Sequence, residues 1–295
     1  MTAATKAPPG NGKENQAAFE FVQFLAHELS GGKVELPSFP DVAIKVRKVL
    51  ADDNVNLDVV VRIVGSEPAL AARLLQIANS AALNSSGTAV HDLRKAVQRM
   101  GLNMVRSAAI AFAMSQMKKA SELKGLEAPM ATLWSRCTGV AAMSHVVARQ
   151  LTKINPDTAL LAGLLHGVGE LYILTRANRH PGLFADRAAY ETIVRDWHTS
   201  VAQALLENWE IAEDIVRAVS EFGDLERRHT GPADLSDVLT VAHLMVSYQD
   251  YPESIELNMQ GVSACERMKL DVATYTRIIH ESRDEIKGLQ EALGA

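Results

Sequence analysis

Apolar residues recur along this chain with the period of a helix face and nowhere convincingly with that of a strand. Leu57, Val60, Val61 and Val64 stand at i, i+3, i+4 and i+7, the spacing that gathers side chains on one side of an α-helix. Leu70, Leu74, Ile77, Ala78 and Ala81 repeat the pattern, and Leu93, Ala96, Val97 and Met100 repeat it again. Trp134, Cys137, Ala141, Ser144 and Ala148 line a longer helix. Ile211, Ile215, Val219 and Phe222 form another stripe, as do Leu235, Val238, Leu239, Ala242 and Val246. The last stripe is Tyr275, Ile279, Ser282, Ile286 and Leu289. No sustained alternation of apolar and polar residues is present, so the expected fold class is all-α.

Punctuation falls between the stripes. Pro40 leads into Asp41, a helix-capping residue type. Pro68 follows Glu67 one residue inside its helix, where a missing N–H costs little. That helix is expected to reach Ala78-Asn79-Ser80-Ala81. Asn155-Pro156-Asp157 separates the Trp134 helix from the next one, and Gly231-Pro232 and Asp250-Tyr251-Pro252 break the later region. The charged stretch 118–129, with Gly125, reads as a joint between two helical lobes.

Composition sets limits on function. The 295 residues are 47% hydrophobic and 22% charged, enough for one or two globular domains with a full core. The net charge is -5 and the basic residues are scattered. Nucleic-acid binding is therefore not expected as a main function, because phosphate recognition needs a concentrated positive surface. Cys137 and Cys265 lie far apart and show no metal spacing, so both read as reduced thiols. No leader and no run of about 20 apolar residues is evident. The expected location is cytoplasmic, with no membrane partner.

Candidate chemistry centres on Ala162-Gly163-Leu164-Leu165-His166-Gly167-Val168-Gly169-Glu170-Leu171. This stretch resembles the metal-binding core of the HD phosphohydrolases, where an adjacent His-Asp pair follows an apolar helix segment and precedes Ile-Gly-Lys. Here His166 remains, Gly167 stands at the aspartate position and Glu170 at the lysine position. Leu133-Trp134-Ser135-Arg136-Cys137 resembles the segment of the first ligand, which puts Arg136 at that position. Thr240-Val241-Ala242-His243-Leu244 resembles the segment of the last, which puts His243 there. One of the four ligands is thus retained. A divalent ion in such a site needs imidazoles and carboxylates together. Unit charges about 4 Å apart interact by roughly 4 kcal/mol at an effective dielectric of about 20, and a dication facing Arg136 would feel about twice that. A fully liganded structural zinc gains about 10–16 kcal/mol, and most of that would be forfeited here. No metal, no cofactor and no catalytic residue is therefore expected. His145, on a nearby helix, is the one histidine that could supply a third ligand to His166 and His243. Arg136 has two readings, an anion-binding guanidinium or an internal ion pair, with Glu170 as one candidate partner.

The upstream half narrows the resemblance. Leu36-Pro37-Ser38-Phe39-Pro40, then Glu67-Pro68-Ala69-Leu70, then Ala78-Asn79-Ser80-Ala81, then Leu93, Ala96 and Met100-Gly101 follow one another. This order resembles the HDOD (HD-related output domain) family over roughly residues 36 to 250, with Glu67 and Met100 in place of the usual Asp and Leu. Pro37, Pro40, Pro68, Asn79, Ser80 and Gly101 are the family's structural positions, and Asn79 is expected to stabilise the turn that follows it. Residues 1–15, with Pro8-Pro9-Gly10-Asn11-Gly12, read as a flexible tail; the resemblance implies an N-terminal helical lobe at 16–120 and a degenerate HD-like lobe at 121–250, and a helical extension at 251–295 lies beyond it. The resemblance also implies a bacterial signalling module that is not an enzyme and that acts by contact with a protein partner. The alternatives are a sensor using the vestigial pocket of Arg136, His166, Gly167 and His243 for a small anionic, nucleotide-like ligand, and a residual metal-dependent phosphohydrolase.

Weaker motifs are discounted. Gly167-Val168-Gly169 lacks the third glycine and the strand of a dinucleotide loop. Ser30-Gly31-Gly32-Lys33 lacks phosphate-loop spacing. Glu291-Ala292-Leu293 spells a cyclic-di-GMP phosphodiesterase signature without the barrel that enzyme needs. His198, beside Trp197, is expected to pack structurally. Ser220-Glu221-Phe222-Gly223-Asp224 stands where metal-rich relatives carry paired histidines. The final stripe must be covered by something, and packing back onto the HD-like lobe is expected over an interface with a partner.

Overall fold

The computed structural model describes residues 12–31, 36, 41–50, 55–80, 83–84, 87–117, 125–185, 187–249 and 251–293. Among them are sixteen helices and no strand, as the apolar periodicity predicts. In chain order they are α1 (Gly12–Ser30), α2 (Asp41–Val49), α3 (Leu57–Gly65), α4 (Pro68–Ala78), α5 (Leu93–Met117) and α6 (Glu127–Leu151). Then come α7 (Pro156–Leu165), α8 (Val168–Ala177), α9 (Pro181–Ala185), α10 (Arg187–Asn208) and α11 (Glu213–Glu221). The last are α12 (Leu235–Ser247), α13 (Pro252–Met259), α14 (Ser263–Arg267), α15 (Val272–Glu281) and α16 (Arg283–Leu293).

Local chemistry fixes several starts. Asn56 caps α3 by accepting the Asp58 N–H at 2.8 Å. Pro68 and Pro156 sit in the first turns of α4 and α7, where no amide hydrogen is needed. Asn155 Oδ1 accepts from Asp157 and Thr158. Asp234 and Asp237 form a reciprocal capping box at the head of α12.

α6 is the central column, with α7, α12 and α16 packed around it, while α5 joins α7 to α2, α3 and α4. Two glycines permit the closest crossings. A Cβ on Gly163 of α7 would lie 2.6 Å from the Ala141 Cα of α6. One on Gly169 of α8 would lie 1.9 Å from the His198 carbonyl oxygen of α10. Both helix pairs therefore approach backbone to backbone, which sets the spacing of the cleft between them. The stretch 156–177 reaches the length and apolarity of a membrane span, but 89% of its most apolar window is buried inside the protein.

Three expectations need amendment. α4 ends at Ala78 instead of running to Ala81, because Asn79 leaves helical geometry to bond elsewhere. Ala81 lies outside the described residues. The C-terminal stripe is two helices, not one: α15 stops at Ser282, which caps it with non-helical geometry. α1 begins at Gly12, inside the predicted tail of 1–15, and packs on α9 and α10. There Glu28 pairs with Arg176 at 3.0 Å and accepts from the Tyr172 hydroxyl. Pro37, Pro40 and most of the predicted joint at 118–129 lie outside the described residues.

The C-terminal stripe folds back onto the chain's own core. Of the predicted stripe, Tyr275, Ser282 and Leu289 are buried and Ile279 and Ile286 half-buried, and the neighbouring Ile278 and Leu293 are buried as well. Gln150 of α6 donates to Ser282 at 2.8 Å, and Arg149 pairs with Glu285.

Candidate functional site

The helix pair α7–α8 breaks at the residues that carry the motif. His166 is the C-cap of α7 and Gly167 the N-cap of α8. His166 is 2% exposed. Its Nδ1 lies 2.6 Å from the Gly163 carbonyl oxygen, so that nitrogen carries the hydrogen and donates. Nε2 is buried with no hydrogen-bond partner.

A cleft of about 780 Å³ opens over this point, between α6, α8, α10 and the ends of α11 and α12. Arg136, His166, Gly167 and His243 all line it, so the four residues named from sequence do converge. The ring centroids of His166 and His243 are 5.7 Å apart. Arg136 forms an ion pair with Glu170 across the cleft wall, the internal pairing that the sequence left open.

Sequence reasoning missed the residue at the centre. Phe222, the C-cap of α11, places its ring edge-to-face against three imidazoles, 5.5 Å from His166, 5.1 Å from His243 and 6.1 Å from His198. It had been counted as one more stripe residue. The signal was its place in the stretch where related sites carry paired histidines. His198 also lines the cleft, so structural packing is not its whole description. Its Nδ1 donates to the Val194 carbonyl at 2.9 Å. His145 is turned away, with Nε2 3.7 Å from Asp157 and Nδ1 3.5 Å from Glu285, and supplies nothing to the cleft.

Of the family's other positions, Asn79 and Gly101 shape the backbone around them. Asn79 donates to the Val90 carbonyl and accepts from the Val90 N–H, both at 2.7 Å. Arg99 donates to Ala78 and Thr88 carbonyls. Together they tie the 87–90 segment to the end of α4. Gly101 takes φ +73° inside α5, a left-handed turn of backbone that bends the helix. Ser80 has a buried hydroxyl without a partner.

The cleft does not fit a divalent ion. Arg136 presents a cation where the first ligand belongs. At Gly167 a Cβ would lie 2.4 Å from Cys137 Sγ and 3.0 Å from Leu133 Cδ1, so the sulfur fills the space an aspartate would need. The Cys137 thiol is itself inert, pushed up to about 12 mainly by burial. Among the described residues, the only group of three metal-type ligands with atoms in mutual reach is His229, Asp234 and Asp237. That group lies away from the cleft and is already engaged by Arg227, at 2.6 Å from Asp234 and 3.3 Å from Asp237, and by Arg267.

Burial, reinforced by the neighbouring His243 and by Arg136, holds His166 down at about 3, against an ordinary 6.5. Burial and Arg136 hold His243 at about 4. Both folded values lie below the unfolded one, so the unfolded chain binds more protons between them. Stability is full above about pH 6.5 and falls as pH drops toward 3. His166 alone contributes about 1.4 kcal/mol per pH unit in that window. His145 works in the opposite sense: burial would lower it, but the neighbouring carboxylates of Asp157 and Glu285 outweigh that and raise it. Its contribution is complete at low pH and is lost as pH rises through its raised value. The expected net result is a urea midpoint that falls from about pH 6.5 to pH 4.5, with a shallower fall in His166→Phe. An identical pH dependence in that variant would contradict the buried, neutral imidazole.

The HDOD domain family matches residues 36–224, which is more than half of the chain. The chain belongs to the HDOD domain family. The HDOD fold extends beyond the matched residues. A structure from Shewanella amazonensis SB2B named "putative metal-dependent phosphohydrolase" superposes with a TM-score of 0.71 at 23% identity, covering 94% of this chain and 99% of that one. An HDOD domain protein with unknown function from Geobacter sulfurreducens gives 0.66 at 23% identity, covering 95% and 97%. A "putative signal transduction protein" from Marinobacter aquaeolei VT8 gives 0.59 at 16% identity, covering 96% of this chain and 66% of that one. At these identities the likeness is one of fold. No curated protein matches the chain.

Proposed function

We propose that this HDOD protein is a non-catalytic signal-transduction module that acts through contact with a protein partner and not through turnover. The observation that carries the reading is Arg136. Its guanidinium stands at the first ligand position, and its positive field already depresses both His166 and His243. A dication placed among those imidazoles would meet the same field, with no carboxylate at position 167 to offset it. Membership of the HDOD family and the signalling name of the Marinobacter neighbour support the signalling context. With the C-terminal stripe buried against α6, the partner surface lies elsewhere. The reduced, buried thiols of Cys137 and Cys265 fit a cytoplasmic site of action.

The test is hydrolysis of bis(4-nitrophenyl) phosphate and of nucleoside monophosphates with added manganese, magnesium, zinc or iron. The expected rate equals that of metal alone. Turnover that disappears in His166→Ala would instead establish a residual phosphohydrolase. A second reading, a sensor whose partner contact is set by a small molecule, is favoured by one specific observation: a large cleft with the unpartnered His166 Nε2 at its floor.

A further inference from the structure

We infer that the cleft takes a flat, uncharged aromatic heterocycle bearing an N–H group that donates to an imidazole Nε2, of His198 in the wall or of His166 at the floor, with its ring among Phe222 and Tyr190. A carbonyl oxygen only accepts, so a ring nitrogen facing one must carry the hydrogen. Nδ1 of His166 faces Gly163 O at 2.6 Å, and Nδ1 of His198 faces Val194 O at 2.9 Å. In the neutral rings both Nε2 atoms are therefore lone pairs. The cleft floor offers acceptors, and it is a donor that they lack.

His166 Nε2 is the stronger indication. It is buried and has no partner, and a buried acceptor left unpaired costs stability. The Phe222 ring lies over it, edge to face at 5.5 Å. Phe222 is thus the side chain that yields as a ligand descends, while His198, half-buried in the wall, is met first.

The guanidinium groups of the walls each have a carboxylate partner. Arg136 is paired with Glu170, Arg187 with Glu191 at 2.7 Å, and Arg195 with Asp196 at 3.2 Å. An anion would set its lone pairs against those of the His166 and His198 Nε2 atoms, although the Nε of Arg136 is itself a buried donor without a partner. The walls suit a flat ring instead. Tyr190 and Phe184 lean on one another at 5.3 Å between centroids, and Phe184 is 36% exposed. Burial also raises the Tyr190 hydroxyl, which therefore stays protonated and uncharged. A volume of about 780 Å³ has room for more than one ring. The inference does not depend on the absence of turnover: an adaptor needs no ligand, and a metal-free cleft need not bind one.

The experiment is NMR of the full chain with ¹⁵N-labelled histidine, titrated with indole, 1-methylindole and inorganic phosphate. Indole carries one N–H, and 1-methylindole is the same ring without it. Indole is expected to shift the His198 and His166 ring nitrogens saturably and to bind about tenfold more tightly than 1-methylindole, the worth of one hydrogen bond to a buried acceptor. Phosphate is expected to shift neither. In His198→Phe the difference between the two indoles should shrink. Equal affinity of the two indoles, no response to indole, or a phosphate response at these imidazoles would each overturn the inference. Should His198→Phe fail to fold, the paired probes on the unaltered protein decide alone.

Discussion

Gly169→Ala is expected to destabilise the protein by about 3 kcal/mol or more, the upper range for forcing an extra carbon into a close-packed contact. The reason lies in what the new Cβ would meet. It would stand 1.9 Å from the His198 carbonyl oxygen, 2.8 Å from its carbon and 2.9 Å from the Ala202 nitrogen. All three atoms are backbone, so no side chain can rotate away, and α8 must separate from α10. The melting temperature should fall by roughly 6–12 °C, at about 2–4 °C per kcal/mol for a chain approaching this size. Because α10 carries His198 and Tyr190, the cleft should widen as well. Gly223→Ala is the control. A Cβ there meets nothing within 4 Å, and the melt should stay within about 0.5 kcal/mol of the parent. An unchanged melting temperature in Gly169→Ala would mean that the α8–α10 crossing is looser than described.

Truncation after Gly261 is expected to abolish the native fold. The removed segment includes Tyr275, Ile278, Leu289 and Leu293, all buried. Each such side chain contributes about 1.5–3 kcal/mol when fully buried. Four of them together approach the whole net stability of a domain, about 5–15 kcal/mol. Polar losses add to this. Arg149 loses Glu285, Gln150 loses Ser282, and the buried carboxylate of Asp237 loses Arg267. His145 is left with Asp157 alone. Circular dichroism and size-exclusion chromatography of the shortened chain should show lost cooperativity and aggregation. A shortened chain that remains folded and monomeric would return α15 and α16 to candidacy as a partner-binding surface.

Much of the fold could be read from apolar spacing, since most stripes lie on one face of one helix and need no long-range information. The stripe from Trp134 to Ala148 lies wholly within α6 and is buried. The break at Ser282 could not be read that way, because the stripe continues across it. At the break Ser282 meets Gln150 of α6, 132 residues away in sequence. The end of α4 at Ala78 has the same kind of contact, a side chain of Asn79 bonded to Val90. In the cleft, the convergence of Arg136, His166, Gly167 and His243 was legible because a motif order carried it. Phe222 was not, since an apolar residue at helical spacing looks like any other core residue. Only the placement of the α11 terminus beside α12 and α7 gives its ring three imidazole neighbours. Cys137 has the same character: nothing local says that its sulfur fills the space an aspartate at 167 would take.

The central claim is that this cleft has exchanged a metal for an ion pair and an aromatic ring. Elemental analysis of the purified full chain, prepared without chelator and after exposure to iron, manganese and zinc, tests it most directly. The expected result is no stoichiometric divalent ion, with or without exposure, and no change on His166→Ala. About one equivalent of any of these metals, retained through gel filtration and lost in His166→Ala, would contradict it.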